Sequence, residues 1–363
     1  MQDRNLSRVR KQNKLGRYFA PFKKELVQNI SPKILINMYT TMVRIRKFEE
    51  KVGELVAEGK IKTPCHLYIG EEAVAVGVCS ALEKEDLVFS THRSHGHYIA
   101  KGGDIKKLMA EIFCKATGCS GGKGGSMHVT APEVGFAGSS AIVGGSIPWA
   151  VGVGLASSIR GNGRVAVAFF GDGAVCEGVF YESLNFASLK KLPVIFVCEN
   201  NFYSTHMPDI KIHADTRLYK KAQSFNMEGV RIDGNNVIKV FQEAKKAVER
   251  AISGGGPTFI ECLTYRWRGH VGPSWDLDKP IRPKEEVMWW VNNCPIKRFE
   301  EFLLKEGFLS IRDKERIHSE VEKEIMEAVR FAEESPYPDT KGIYEGVFKK
   351  FINERAHLRP SNK

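Results

Sequence analysis

The chain has 363 residues, 42% of them apolar and 27% charged, with a formal net charge of +11. Those proportions belong to a globular protein and exclude disordered, collagen-like and fibrous classes. The charge is not spread evenly: residues 1–24 hold eight Lys/Arg against one Asp, residues 349–363 hold five against one Glu, and the body between carries both signs in equal number. A neutral body with cationic ends offers no basic face for a nucleic-acid backbone. It leaves the tails free to touch a partner. No run approaches the roughly 18 apolar residues of a membrane helix, and the N-terminus lacks the apolar core of a secretory signal. Its Arg-rich, acid-poor start shares features with an organelle transit peptide but holds few serines. Eight cysteines (Cys65, Cys79, Cys114, Cys119, Cys176, Cys198, Cys262, Cys294) lie scattered with no Cys-x-x-Cys pair. This pattern favours reduced, buried thiols and a cytoplasmic protein.

Along the chain, Ser31-Pro32 supplies a cap and a first-turn proline for a long amphipathic helix, with apolar positions from Ile34 to Leu55 and a stop at Gly59. A second helix of small residues is predicted over 71–82, a strand over 86–90 and a helix over 104–113. A Gly-dense loop follows at 118–128. From 144 onward helices and apolar runs alternate: a helix over 144–160, strand 164–170, helix 177–189, strand 192–198, a loop at 200–215, strand 229–233, helix 236–252 and strand 257–265. Continuous β-branched runs alternating with helices indicate an α/β fold whose parallel sheet is covered on both faces. Two further helices are predicted within 283–334. The organisation read from these patterns is a basic tail over 1–30, one domain over 31–348 and a basic tail over 349–363.

In open parallel sheets ligands bind outside the carboxyl ends of the strands. The apolar strand at 164–170 runs into Gly171-Asp172-Gly173-Ala174, and the strand at 192–198 runs into Glu199-Asn200-Asn201-Phe202-Tyr203. The glycines admit close backbone approach, Asp172 offers a hard carboxylate oxygen, and an asparagine adds an amide oxygen. With a backbone carbonyl and phosphate oxygens, such a set suits octahedral Mg2+. Alone, either motif reads as an ordinary turn. Together they matter more, because the residues at 174–199 between them make up one αβ unit and so bring both ends to one sheet edge.

That pairing resembles the cofactor-binding motif of thiamine diphosphate enzymes. GGKGGSMH (121–128), AIVGGSIPWAVG (141–152), the 171–201 stretch and TYRWRGH (264–270) are similar to the alpha chain of 2-oxo acid dehydrogenases, in the branch that acts on pyruvate or acetoin. The likeness runs from about 35 to 335. It implies a thiamine diphosphate-binding fold with N- and C-terminal helical extensions, and the cofactors thiamine diphosphate and Mg2+. Carried over by position, it implies metal ligation by the side chains of Asp172 and Asn201 and the carbonyl of Tyr203. Gly173 and Ala174 would face the diphosphate, Arg93 would grip it, and His92 would lie beside it. Ala141 and Val143 would contact the aminopyrimidine ring through their backbone, with Ile142 or Val143 as the wedge that bends the cofactor. His270 and His128 would face the reacting centre as catalytic residues, His270 also touching the cofactor.

The resemblance further implies a beta subunit that supplies the activating glutamate, an assembly of two alpha and two beta chains, and a lipoyl acyltransferase that receives the acyl group. The substrate is then a 2-oxo acid, pyruvate first, or acetoin. A carboligase with a non-lipoyl acceptor and a non-catalytic scaffold are the alternatives. Departures fall after His270, where Val271-Gly-Pro-Ser274-Trp275 replaces a directly following serine, and at Tyr203-Ser-Thr-His206. The triplet His92, His95, His97 could suggest a metal site, but Arg93 in its midst and the lack of a neighbouring carboxylate argue against one. His95 and His97 are instead expected at the mouth of the site. Gly152-x-Gly154 lies inside a helix, which disfavours a nicotinamide-binding turn and suits close packing between chains.

Overall fold

In the computed structural model, which describes residue 19 and residues 21–277 and 281–344, six strands form one wholly parallel sheet. In chain order the strands are β1 (Leu87–Ser90), β2 (Phe136–Ser139), β3 (Ala166–Gly171), β4 (Val194–Asn200), β5 (Tyr203–Ser204), β6 (Met207–Pro208), β7 (Glu228–Asp233) and β8 (Thr258–Leu263). The sheet order is β2-β1-β3-β4-β8-β7, and β5 and β6 make a small separate hairpin within the loop predicted at 200–215. The alternation of side chains explains why β3, and β4 as far as Cys198, are apolar on both faces. Val167 and Phe169 of β3 and Ile195 and Val197 of β4 enter one core, with the helices Pro32–Ala57, Glu72–Cys79 and Val237–Ile252. Ala168 and Phe170, with Phe196 and Cys198, enter the other, beneath the helices Ser146–Arg160 and Gly178–Leu189. Both faces of the sheet are covered, as the sequence pattern requires.

The long first helix starts where its signals place it: the Ser31 hydroxyl accepts from the Ile34 amide at 3.4 Å, and Gly59 turns the chain beyond Ala57 with φ of 71°. The predicted pair of helices at 283–334 is three: Lys284–Asn292, Pro295–Lys305 and Ile311–Glu334. Pro295 cannot continue the first and opens the second. Gly307, at φ 75°, ends the second before Ser310 caps the third through the Asp313 amide. Two short elements have no sequence signal, the helix His95–Ala100 and the edge strand β2, whose Phe-Ala-Gly-Ser run pairs with β1 across an irregular register. Within the segment read as a basic N-terminal tail, Phe19 lies edge-on to Trp289 and Trp290 at 5.0 Å, and Phe22 lies against Phe299 and Phe302. Residues 1–18 and the C-terminal tail at 349–363 lie outside the described residues.

The Gly-dense loop at 118–128 is organised around an anion of the chain itself. The buried Glu111 carboxylate accepts from the amides of Ser120 at 2.7 Å, Gly122 at 2.9 Å, Gly124 at 2.8 Å and Gly125 at 3.0 Å. Gly122 and Gly125 sit at φ 75° and 58°, a left-handed backbone that turns successive N–H groups inward. Glu111→Ala leaves those four donors unanswered and should cost about 3 kcal/mol or more. Denaturant unfolding together with amide exchange over 118–128 checks this; unchanged protection of that loop would contradict it.

Candidate active site

The carboxyl ends of β1, β3, β4 and β8 converge on a cleft of about 210 Å³. Its floor is the Gly171-Asp172-Gly173 turn that leaves β3. Asp172 is 1% exposed, and its Oδ2 has no hydrogen-bond partner. Burial, with help from the Asp209 carboxylate, raises its pKa to about 7, against the pull of its own amide and that of Asn201. A Cβ on Gly173 would lie 2.4 Å from the Ser204 hydroxyl, so the turn and the β5–β6 hairpin approach too closely for a side chain there. The two asparagines after β4 part company. Asn200 donates to Glu261 at 2.7 Å and serves the sheet edge, whereas Asn201 lines the cleft and donates to Glu71 at 3.1 Å. Phe202, at φ 68°, makes the turn that brings Tyr203 to the cleft wall.

Across from Asp172 stands a tie made by one guanidinium. Arg93 donates to the Leu67 carbonyl at 2.7 Å and to the His270 carbonyl at 3.2 Å, and its Nε lies 3.6 Å from Glu71. It thereby fixes the neighbours of His66 and His92 together with His270 itself. The three imidazoles meet edge to face, with ring centroids 4.5 Å apart for His66–His92, 4.9 Å for His66–His270 and 5.3 Å for His92–His270. Burial first, then the Arg93 charge, lowers their pKa values to about 2, 3 and 4 for His66, His92 and His270. All three are neutral at physiological pH. Glu71 moves the other way, to about 8, because it is buried beside Glu199.

The sequence model of the Dehydrogenase E1 component matches residues 40–341. The chain belongs to that family. It is 44% identical over 314 residues to the alpha subunit of the acetoin:2,6-dichlorophenolindophenol oxidoreductase of Bacillus subtilis, a match covering 86% of this chain and 93% of that one. It is 39% identical to the pyruvate dehydrogenase E1 component subunit alpha of Porphyra purpurea, over 88% and 94% of the two chains. With the corresponding subunit of Rickettsia bellii it shares 36% identity over 92% and 99%. It is thus an oxidoreductase chain of the E1 alpha kind.

In this E1 chain the cleft gathers most of the residues singled out in the sequence. His92, Arg93, Ala141, Val143, Asp172, Gly173, Ala174, Asn201, Tyr203 and His270 all line it. Val143 faces the cleft, and Ile142, 73% exposed, does not line it. His128 is not among the lining residues. It is exposed to solvent, and the Ala141 amide donates to its Nε2 at 3.5 Å. His95 and His97 are not at the mouth, as expected, but fully buried beneath it. His95 lies between Glu49 at 3.0 Å and Ser126 at 2.9 Å, and His97 between Glu199 at 2.9 Å and Ser90 at 2.8 Å. The carboxylates missing from the local sequence come from distant segments.

Sequence reasoning passed over His66, Glu71, Glu199 and Arg266, which also line the cleft. Arg266 is the strongest omission: it stands in the quoted TYRWRGH, is 1% exposed, and has its pKa lowered to about 9 by burial and by Arg93. Arg282 holds that segment in place, donating to the carbonyls of Arg266 at 2.6 Å and Arg268 at 2.9 Å. The depressed imidazoles have a thermodynamic consequence. Unfolded, each takes a proton near its ordinary 6.5, while folded it does not, so native stability is lost as pH falls below 6.5. The Tm of the natural chain should therefore fall relative to that of His66→Gln between pH 7.5 and 5; calorimetric curves that stay parallel would refute this.

Proposed function

We propose that this chain is the alpha half of a heteromeric dehydrogenase that uses thiamine diphosphate and Mg2+ to decarboxylate a 2-oxo acid, pyruvate first. The observation that carries the reading is the buried Asp172 carboxylate, with Oδ2 unpartnered among the described residues, between two glycines at the carboxyl end of β3. An ionised carboxylate in such a place needs a cation. Asp172, the Asn201 amide oxygen and the Tyr203 carbonyl form the hard-oxygen donor set that suits Mg2+. Arg266 and Arg93 supply the positive charge that a diphosphate requires, locally rather than through the +11 of the whole chain. The donor set and the lining fit the cofactor.

When bound, thiamine diphosphate supplies a nucleophilic carbon and an electron sink for the decarboxylation. The chain's own residues do the rest. Asp172 and Asn201 hold the metal, Gly173 and Ala174 present backbone to the diphosphate, and Ala141 and Val143 wall the ring. His270, held neutral and fixed through its carbonyl by Arg93, would accept a proton at one imidazole nitrogen in the cleft and donate a hydrogen bond from the other. His92 flanks it. His128, exposed and bonded to the Ala141 amide, is the second catalytic residue of this reading.

A beta subunit completes the site, with two chains of each kind and a lipoyl acyltransferase as acceptor. Exposed apolar side chains at the cleft rim and the neighbouring helix, Ile142, Val143 and Trp149, support a covering partner. Residues 31–348 act as one catalytic domain with basic tails as contacts. Eight free cysteines support a reducing, cytoplasmic setting, and no helix among the described residues is long and apolar enough to cross a membrane. Acetoin as substrate is the second reading, favoured by the 44% identity to the Bacillus subtilis acetoin oxidoreductase subunit.

Asp172→Asn removes the charge and keeps the shape. In the chain purified with its co-expressed partner, Mg2+-dependent binding of thiamine diphosphate should weaken at least about 100-fold, or about 2.7 kcal/mol. Titration calorimetry reads this directly, and unchanged affinity would overturn the assignment.

A further inference from the structure

The cleft holds two donor sets of different chemical character. One is the oxygen set around Asp172. The other is nitrogen only: His66, His92 and His270 each present one ring nitrogen, and these three atoms lie within 4.8 Å of one another. We propose that His66, His92 and His270 form a three-imidazole site for a late first-row divalent cation, Zn2+ foremost, and that its occupancy withdraws His270 from substrate.

Three features of the surroundings support this. The segments are pre-assembled, because Arg93 bonds the Leu67 and His270 carbonyls and adjoins His92 in the chain. The backbone of the ligand cage is therefore held in place before binding, and only the rings have to move. The His66 Nδ1 is buried and has no hydrogen-bond partner, on a residue only 8% exposed. A polar atom in that position carries a desolvation cost that a metal ion relieves. And the rings are already neutral, the form that ligates.

The distances set the size of the adjustment. Zinc–nitrogen bonds of about 2.0–2.1 Å in tetrahedral geometry place the nitrogens roughly 3.3 Å apart. Closing from 4.8 Å is within the reach of imidazole rotations about χ1 and χ2. Three protein ligands leave the fourth position facing the cleft, as in sites open to water or substrate. The neighbouring charges do not forbid a dication. Glu199 lies on the same cleft as Arg93 and Arg266. Glu71 and Asp172, with pKa values raised to about 8 and 7, would ionise more fully beside a dication, and the Asp276 carboxylate acts on His270 against the arginines. Imidazole selects Zn2+, Co2+ or Ni2+ over Mg2+, so the two sets would sort the two kinds of metal.

The test uses the full chain with its co-purifying partner, stripped of metal and thiamine diphosphate, and titrated with Co2+. Expected are one Co2+ per chain with the intense visible absorption of a tetrahedral nitrogen site, displacement by Zn2+ and none by excess Mg2+. His92→Phe should lose the absorption while its circular dichroism and Tm stay near those of the natural chain. Should that variant fold poorly, His66→Asn is the second probe with the same expected loss. Absorption that is weak and octahedral, survives in both histidine variants, or disappears in Asp172→Asn would overturn the proposal. The Asp172→Asn arm also separates this inference from the thiamine diphosphate reading, which can fail while the cobalt signal persists.

Discussion

The site depends on a single buried guanidinium. Arg93 reaches the carbonyls of Leu67 and His270 and stands 3.6 Å from Glu71, so two segments remote in sequence, 67–71 and that of His270, are tied by one planar cation. The fork geometry of arginine makes this possible, since its donors diverge in a plane and stay charged even when buried. In doing so it sets the chemistry of its neighbours. It lowers the proton affinity of His66, His92 and His270, and it partly neutralises Glu71.

A parallel sheet makes the surrounding arrangement natural. Its strands deliver their carboxyl ends to one edge, and here those ends carry Asp172, Glu199 and Asn201 into a region with little water. Charges in such a place are costly unless answered. Glu49 is answered by His95, Glu199 by His97 and Glu111 by four loop amides. Asp172 Oδ2 is left without a protein partner. Among the described residues Glu71 Oε2, Glu72 Oε2 and Asp276 Oδ2 share that condition, but Glu71 and Glu72 have Arg93 and Arg46 beside them, whereas Asp172 lines the cleft at the end of β3.

Much of this was legible beforehand, and the reason is local. The two apolar strands, the turns after them and the αβ spacing between them are contiguous patterns, so Asp172 and Asn201 could be placed on one edge without coordinates. What escaped was non-local. His66 sits in an apolar stretch, and nothing in its neighbourhood announces His92 and His270. The glycines at 118–128 read only as a loop, and nothing local shows that they wrap Glu111. His95 and His97 lacked a carboxylate in sequence and found Glu49 and Glu199 in space. The third C-terminal helix was hidden because Pro295 falls inside a continuous amphipathic run, where a break and a kink look alike.

On the proposed function, this E1 chain contributes one half of a thiamine diphosphate site and turns over only beside a beta subunit. The direct measurement is carbon dioxide release from 2-oxo acids by the chain alone and by the chain co-expressed with its partner subunit, each with thiamine diphosphate and Mg2+. The account predicts turnover by the pair and none by the chain alone. Efficient decarboxylation by the chain alone would contradict it.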